Sequence, residues 1–185
     1  MAGAPNTPPH PRSPKVRLRP MTDADSDAVV RWSQDREFCL ANDWTLDLPP
    51  EKVRAWLEGI LAELPERFLR LGIELDGRLV GYADLADIQD RVGRAEFGIA
   101  LGERGVWGQG VGTAAGRAML RHGFHTLGLT RVTAQVHAPN ARSLSLMRRL
   151  GFRQEGVLRR HEVYRGGVVD VVQFGLLREE FEEVQ

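Results

Sequence analysis

Val106-Trp107-Gly108-Gln109-Gly110-Val111-Gly112-Thr113 lies directly after an apolar, strand-like run, Ala95 to Leu101, and directly before a helical pattern, Thr113 to Thr126. A helix starting at such a junction presents unpaired backbone N–H groups and partial positive charge at its first turn. Glycines there let the backbone approach a pyrophosphate closely. The stretch therefore reads as a phosphate-binding turn, with a merely tight connection as the plainer reading of its glycines. Two other nucleotide sites fail on spacing. A Walker loop ends in Gly-Lys-Ser/Thr, and the chain has no lysine after Lys52. Gly110 to Gly116 has the outline of a dinucleotide fingerprint, but the following strand, Arg131 to His137, offers no acidic residue for a ribose.

Outward from this turn the pattern is a mixed α/β fold without internal repeats. Toward the N-terminus, Phe68 to Leu75 and Arg78 to Ile88 flank Asp76-Gly77, a hairpin signal, and Ala95 to Leu101 completes an antiparallel meander. Before them, Val16 to Arg19 reads as a strand, Thr22 or Asp23 caps a helix through Val29, Val30 and Trp32, and Pro49-Pro50 opens a helix through Val53, Trp56, Leu57 and Ile60. The segment between these helices reads as a loop. Toward the C-terminus follow strand Arg131 to His137, helix Ala141 to Leu150, and strands Phe152 to Arg159 and Val168 to Leu177. Residues 1–14 hold five prolines among small and polar residues and read as a disordered tail, leaving 15–185 as one domain.

The composition, 42% hydrophobic and 27% charged, is that of a soluble globular protein. No apolar run is long enough for a membrane span or a secretory signal, and the single cysteine, Cys39, forms no disulfide framework, so a cytoplasmic protein is expected. The formal net charge of zero argues against wholesale nucleic-acid binding. Its distribution is uneven: from Arg104 to Gln154 there are eight arginines and no Asp or Glu. That half should attract a polyanion, unless its arginines are solvated faces balanced by acids elsewhere.

The turn, with Asn140-Ala141-Arg142-Ser143, Leu150-Gly151-Phe152 and Glu155-Gly156-Val157-Leu158-Arg159, resembles the GNAT superfamily of acetyl-CoA-dependent N-acetyltransferases, and within it the RimJ/RimL branch. The superfamily's loop has the form Gln/Arg-x-x-Gly-x-Gly/Ala, and Trp107 to Gly112 departs from it at the first position. The resemblance implies a mostly antiparallel sheet flanked by about four helices and splayed between the fourth and fifth strands. It implies that backbone groups of Ile99, Ala100 and Leu101 hold the pantetheine arm and that Trp107, Gly108, Gln109, Gly110, Val111, Gly112 and Thr113 hold the pyrophosphate. Asn140 would touch the cofactor; as the residue before a helix it is equally a cap.

Many relatives in this superfamily place a tyrosine acid where this chain has Met147, and a thioether cannot donate a proton. In the RimL-like pattern the serine of Asn-x-x-Ser takes that role, which makes Ser143 the candidate donor to the leaving CoA thiolate. Helical spacing puts Ser143 on one face with Leu146, Met147 and Leu150; a serine bonded to its own helix backbone is the other reading. A base is needed to take the amine's proton. Glu96, alternating with Gly98 and Ala100, is the candidate, with a structural salt bridge as the alternative and Asp84 as a second choice. His125, His137 and His161 have no metal-ligand spacing, and no metal is expected.

The expectation is direct acetyl transfer from acetyl-CoA to a primary amine, either a protein N-terminus or a small molecule. The alternatives are a non-catalytic acyl-CoA-binding module and, from the arginines, a nucleic-acid binder. Acceptor choice is expected to sit around residues 33–48 and 160–168, and the resemblance implies a homodimer through the C-terminal strands.

Overall fold

The computed structural model describes residues 14–62 and 67–181, so most of the expected N-terminal tail lies outside the described residues. The strands are β1 (Val16–Arg19), β2 (Leu69–Leu75), β3 (Arg78–Gln89), β4 (Arg94–Leu101), β5 (Arg131–His137), β6 (Arg153–Tyr164) and β7 (Gly167–Leu177); burial alternates along β4 and β5, whereas β3 is buried over most of its length and β6 is mostly exposed. They form one sheet in the order β1-β2-β3-β4-β5-β7-β6. Every neighbouring pair is antiparallel except β4 and β5, which run parallel. The Asp76-Gly77 turn has both residues at positive φ, the geometry that matches strand twist in a two-residue hairpin.

The helices are α1 (Ser26–Ser33), α2 (Arg36–Asn42), α3 (Pro50–Ala62), α4 (Val111–Arg121) and α5 (Ala141–Arg149). Helix α2 corrects the expected loop. Its seven residues show too little periodicity to be read, and the Asp35 side chain starts it by accepting hydrogen bonds from the Glu37 and Phe38 N–H groups. Helix α4 begins two residues earlier than expected and passes into a π-helical turn, His122–Thr126. No helix among the described residues is long and apolar enough to cross a membrane.

The sheet separates two apolar layers. Val111, Ala115 and Met119 of α4 and Met147 of α5 pack on Ala95, Phe97, Val132 and Val172, while Val29, Trp32, Phe38, Val53 and Leu57 pack against Tyr82 and Ala100 on the other face. Parallel pairing of β4 and β5 covers only Arg94↔Arg131, Ala95↔Val132 and Glu96↔Thr133. Beyond Glu96 the two strands separate. This is the expected splay, and among the described residues it leaves one edge of β4 without a strand partner from Phe97 onward.

Candidate active site at the opening between β4 and β5

Peptide groups along a strand alternate in direction. The Ala95 carbonyl accepts from the Thr133 hydroxyl of β5 at 3.3 Å, whereas the Gly102 N–H turns the other way, to the Val80 carbonyl at 2.9 Å. By that alternation the peptide groups of Phe97, Ile99 and Leu101 face the opening and those of Ala100 face β3. Of the three expected pantetheine contacts, Ile99 thus presents both its N–H and its carbonyl. The Leu101 carbonyl is already taken by the Trp107 indole N–H at 2.9 Å.

Gly110 caps α4 at φ 83°, and Gly108 lies at φ 76°, a region where a side chain would be strained. Helix geometry leaves the N–H groups of Val111, Gly112 and Thr113 without an acceptor one turn back. Ala114 is the first to reach one, the Gly110 carbonyl at 3.0 Å. The turn thus carries what a pyrophosphate needs: clustered donors, helix-terminal positive charge and no Cβ at its two bends.

Helix α5 brings in the second group of candidates. The Asn140 side-chain carbonyl accepts from the Ser143 N–H at 3.2 Å, so Asn140 is the helix cap. Ser143 is half-buried on the same side as Met147, and its hydroxyl makes no hydrogen bond among the described residues, contrary to a serine bonded to its own helix. The Arg142 guanidinium lies over the Trp107 ring, 4.4 Å from its centre, and joins the start of α5 to the glycine turn. Cofactor candidates from β4, the turn and α5 are thereby brought together.

Glu96 lies on the opposite face. Ala95 and Phe97 belong to the α4 layer and Ala100 to the α1–α3 layer, so Glu96, Gly98 and Ala100 share the latter side. No lysine or arginine among the described residues pairs with the Glu96 carboxylate, unlike the salt bridge weighed above. Burial pushes its carboxyl above the ordinary value; Asp87 and Glu162 add to that and Arg94 opposes it. Asp84, the second choice for a base, is held by Arg70 through both oxygens at 2.6 Å. Because Gly98 has no side chain, a Cβ-sized atom there would sit 3.7 Å from the Asp84 carboxylate.

Sequence spacing missed two contacts of His137. His137, at the end of β5, bonds Glu162 of β6 at 2.7 Å and stacks on the buried Tyr164 ring at 4.4 Å. No linear motif links residues this far apart. The segments expected to choose the acceptor do meet, since Arg165 of the β6–β7 turn pairs with Glu37 of α2 at 3.3 Å. Several arginines of the acid-free stretch are already engaged: Arg104 pairs with Asp35, Arg131 with Glu155 and Arg153 with Glu180. Cys39 is buried and its thiol is pushed up by that burial, with Asp35 and Asp47 adding, which disfavours a nucleophilic thiolate.

Residues 15–153 match the family described as the acetyltransferase (GNAT) domain. An uncharacterized N-acetyltransferase p20 of Bacillus licheniformis is 31% identical over 171 residues, 90% of this chain and 95% of that protein. Spermidine N(1)-acetyltransferase of Escherichia coli (strain K12) is 28% identical over 163 residues, covering 85% of this chain and 82% of that protein. Mycobacterium smegmatis RimJ, solved in complex with CoA-disulfide, superposes with a TM-score of 0.78 at 27% identity, covering 91% of this chain and 84% of that one. The chain belongs to the GNAT family of N-acetyltransferases, with acetyl-CoA as its co-substrate.

Proposed function

We propose that this enzyme acetylates the primary amine of a small, cationic acceptor, with Glu96 as the base and Ser143 as the acid. Glu96 carries the reading. It is a half-buried carboxylate without an ionic partner among the described residues, at the closed end of the opening, with a raised affinity for protons. Such a group suits a base that must take a proton from an ammonium near neutral pH. Acetyl-CoA supplies the activated thioester. Ile99 and the amides of Gly108 and of residues 110–113 would hold it in reach, the Trp107 and Gln109 N–H groups being taken by the Arg104 and Val106 carbonyls at 3.1 and 3.4 Å, so that proximity and N–H donors contribute most of the rate.

A cationic acceptor is favoured by the acidic side chains on this face. Glu162, bonded to His137, and Asp87, paired with Arg94 at 3.0 Å, both add to the negative field at Glu96, and Arg94 opposes it. The similarity to a spermidine acetyltransferase supports the same class. A protein N-terminus is the rival, favoured by the likeness to RimJ. The test is an amine panel read by thiol release from acetyl-CoA: spermidine, spermine, amino acids and short peptides with free N-termini. Turnover confined to the peptides would replace the small acceptor, and no turnover with any amine would favour a module that binds acyl-CoA without catalysis.

The same proposal extends to assembly and place. β6 is an edge strand that leaves Val157 and Val163 exposed, which favours a homodimer covering that edge. A reduced, buried Cys39 and dependence on acetyl-CoA favour the cytoplasm.

A further inference from the structure

The geometry points to Arg142 as a phosphate ligand of CoA, held ready by the Trp107 ring, an inference that rests on the reading of residues 107–113 as the pyrophosphate turn. Three observations converge. First, the Trp107 ring is fixed at its polar end, where the indole N–H donates to the Leu101 carbonyl at 2.9 Å. Second, the Arg142 guanidinium lies over that ring, 4.4 Å from its centre, and it makes no ion pair and no hydrogen bond among the described residues. Third, this charge belongs to the stretch from Arg104 to Gln154, which contains no Asp or Glu.

Stacking limits the rotamers of a long side chain while leaving the edge of the guanidinium, with its N–H donors, open for an acceptor. A planar fork of this kind binds phosphate oxygens in pairs. Its place is set from two sides. Trp107 directly precedes Gly108, and Arg142 lies in the first turn of α5, which is kept against the glycine turn by Leu146; a Cβ on Gly112 would lie 3.6 Å from that leucine. The backbone amides of the turn therefore supply a fixed, uncharged donor set, and Arg142 adds the full positive charge that those amides lack.

CoA carries a pyrophosphate and a 3′-phosphate, and the experiment separates them. Calorimetry should show that Arg142→Ala binds CoA about tenfold more weakly at low ionic strength, a loss equal to one charge-assisted hydrogen bond. The difference should shrink in high salt. Arg142→Lys, which keeps the charge but not the fork, should fall between. An equal loss with dephospho-CoA assigns Arg142 to the pyrophosphate, and a loss seen only with CoA assigns it to the 3′-phosphate. Trp107→Leu should reproduce part of the effect with Arg142 intact, and a thermal melt shows whether that variant folds. Arg142→Ala binding CoA within twofold of the parent would overturn the inference. Failure of the parent itself to bind CoA would instead remove the reading on which it rests.

Discussion

The Asn140 side chain caps α5 through the backbone N–H of Ser143, at 3.2 Å, and so leaves the Ser143 hydroxyl out of the capping contact. One serine thus has two separable parts, an N–H that closes the helix end and an Oγ left for the proton-donor role proposed for it.

Ser143→Ala tests the second purpose alone. The change keeps the cap, is nearly isosteric and favours a helix, so the melting temperature should be unchanged or slightly higher. Acid catalysis contributes about 10²–10⁴-fold. Because a thiolate leaves without full protonation, kcat should fall by about a hundredfold or less. Measured at saturating acetyl-CoA with chemistry limiting, a kcat within twofold of the parent would make Ser143 a helix residue only.

Glu96→Gln should separate catalysis from stability. Burial raises the carboxyl's proton affinity in the folded chain, so ionised Glu96 opposes folding, and that penalty is present above its folded pKa and vanishes below its unfolded value. The variant should therefore melt higher than the parent at neutral pH, with the gap closing in acid. Its rate should drop near neutrality and recover as rising pH deprotonates the amine unaided. In the parent, the acid limb of kcat/KM should lie above the usual carboxylate range. Superimposable pH–rate profiles for the two proteins would exclude Glu96 as the base.

The local geometry of the proposed cofactor half was legible because local rules determine it. Gly108 and Gly110 sit at positive φ, Asn140 caps a helix and Arg131–His137 is a strand with the expected bounds. The half proposed to receive the acceptor depends on long-range pairing. Arg70 faces Asp84 only through the β2–β3 register, which a bulge between Ile73 and Glu74 alters. Glu162 reaches His137 past an irregular stretch of β6, between Leu158 and Glu162, that contains Arg160 at positive φ. Neither contact follows from periodicity, since one added residue moves every later side chain to the other face. Helix α2 was missed for a related reason: its Asp35 cap is a common residue, and Phe38 and Cys39 acquire meaning only when buried against α1.

Arg70→Met tests how far the face proposed to receive the acceptor depends on one buried ion pair. Arg70 bonds both Asp84 oxygens at 2.6 Å, and its guanidinium lies 4.1 Å from the Tyr82 ring centre and 5.1 Å from that of Trp56. Asp84 is buried deeply enough that desolvation holds its carboxyl above the ordinary value even with Arg70 opposing the shift. Removing the arginine takes away that opposing charge and raises the carboxyl further. Breaking a buried pair from one side costs about 3–5 kcal/mol, which should appear as a lower urea midpoint at neutral pH. The sign with pH follows: a carboxyl raised on folding loses stability as pH climbs through its folded value, so the deficit of Arg70→Met should be smaller in mild acid, where Asp84 takes up a proton. Adding Asp84→Asn removes the titrating group and should abolish that extra pH dependence, whatever packing defect remains. Equal deficits at mildly acidic and neutral pH in the single variant would mean that Arg70 acts through its packing on the aromatic rings and not through its charge on Asp84.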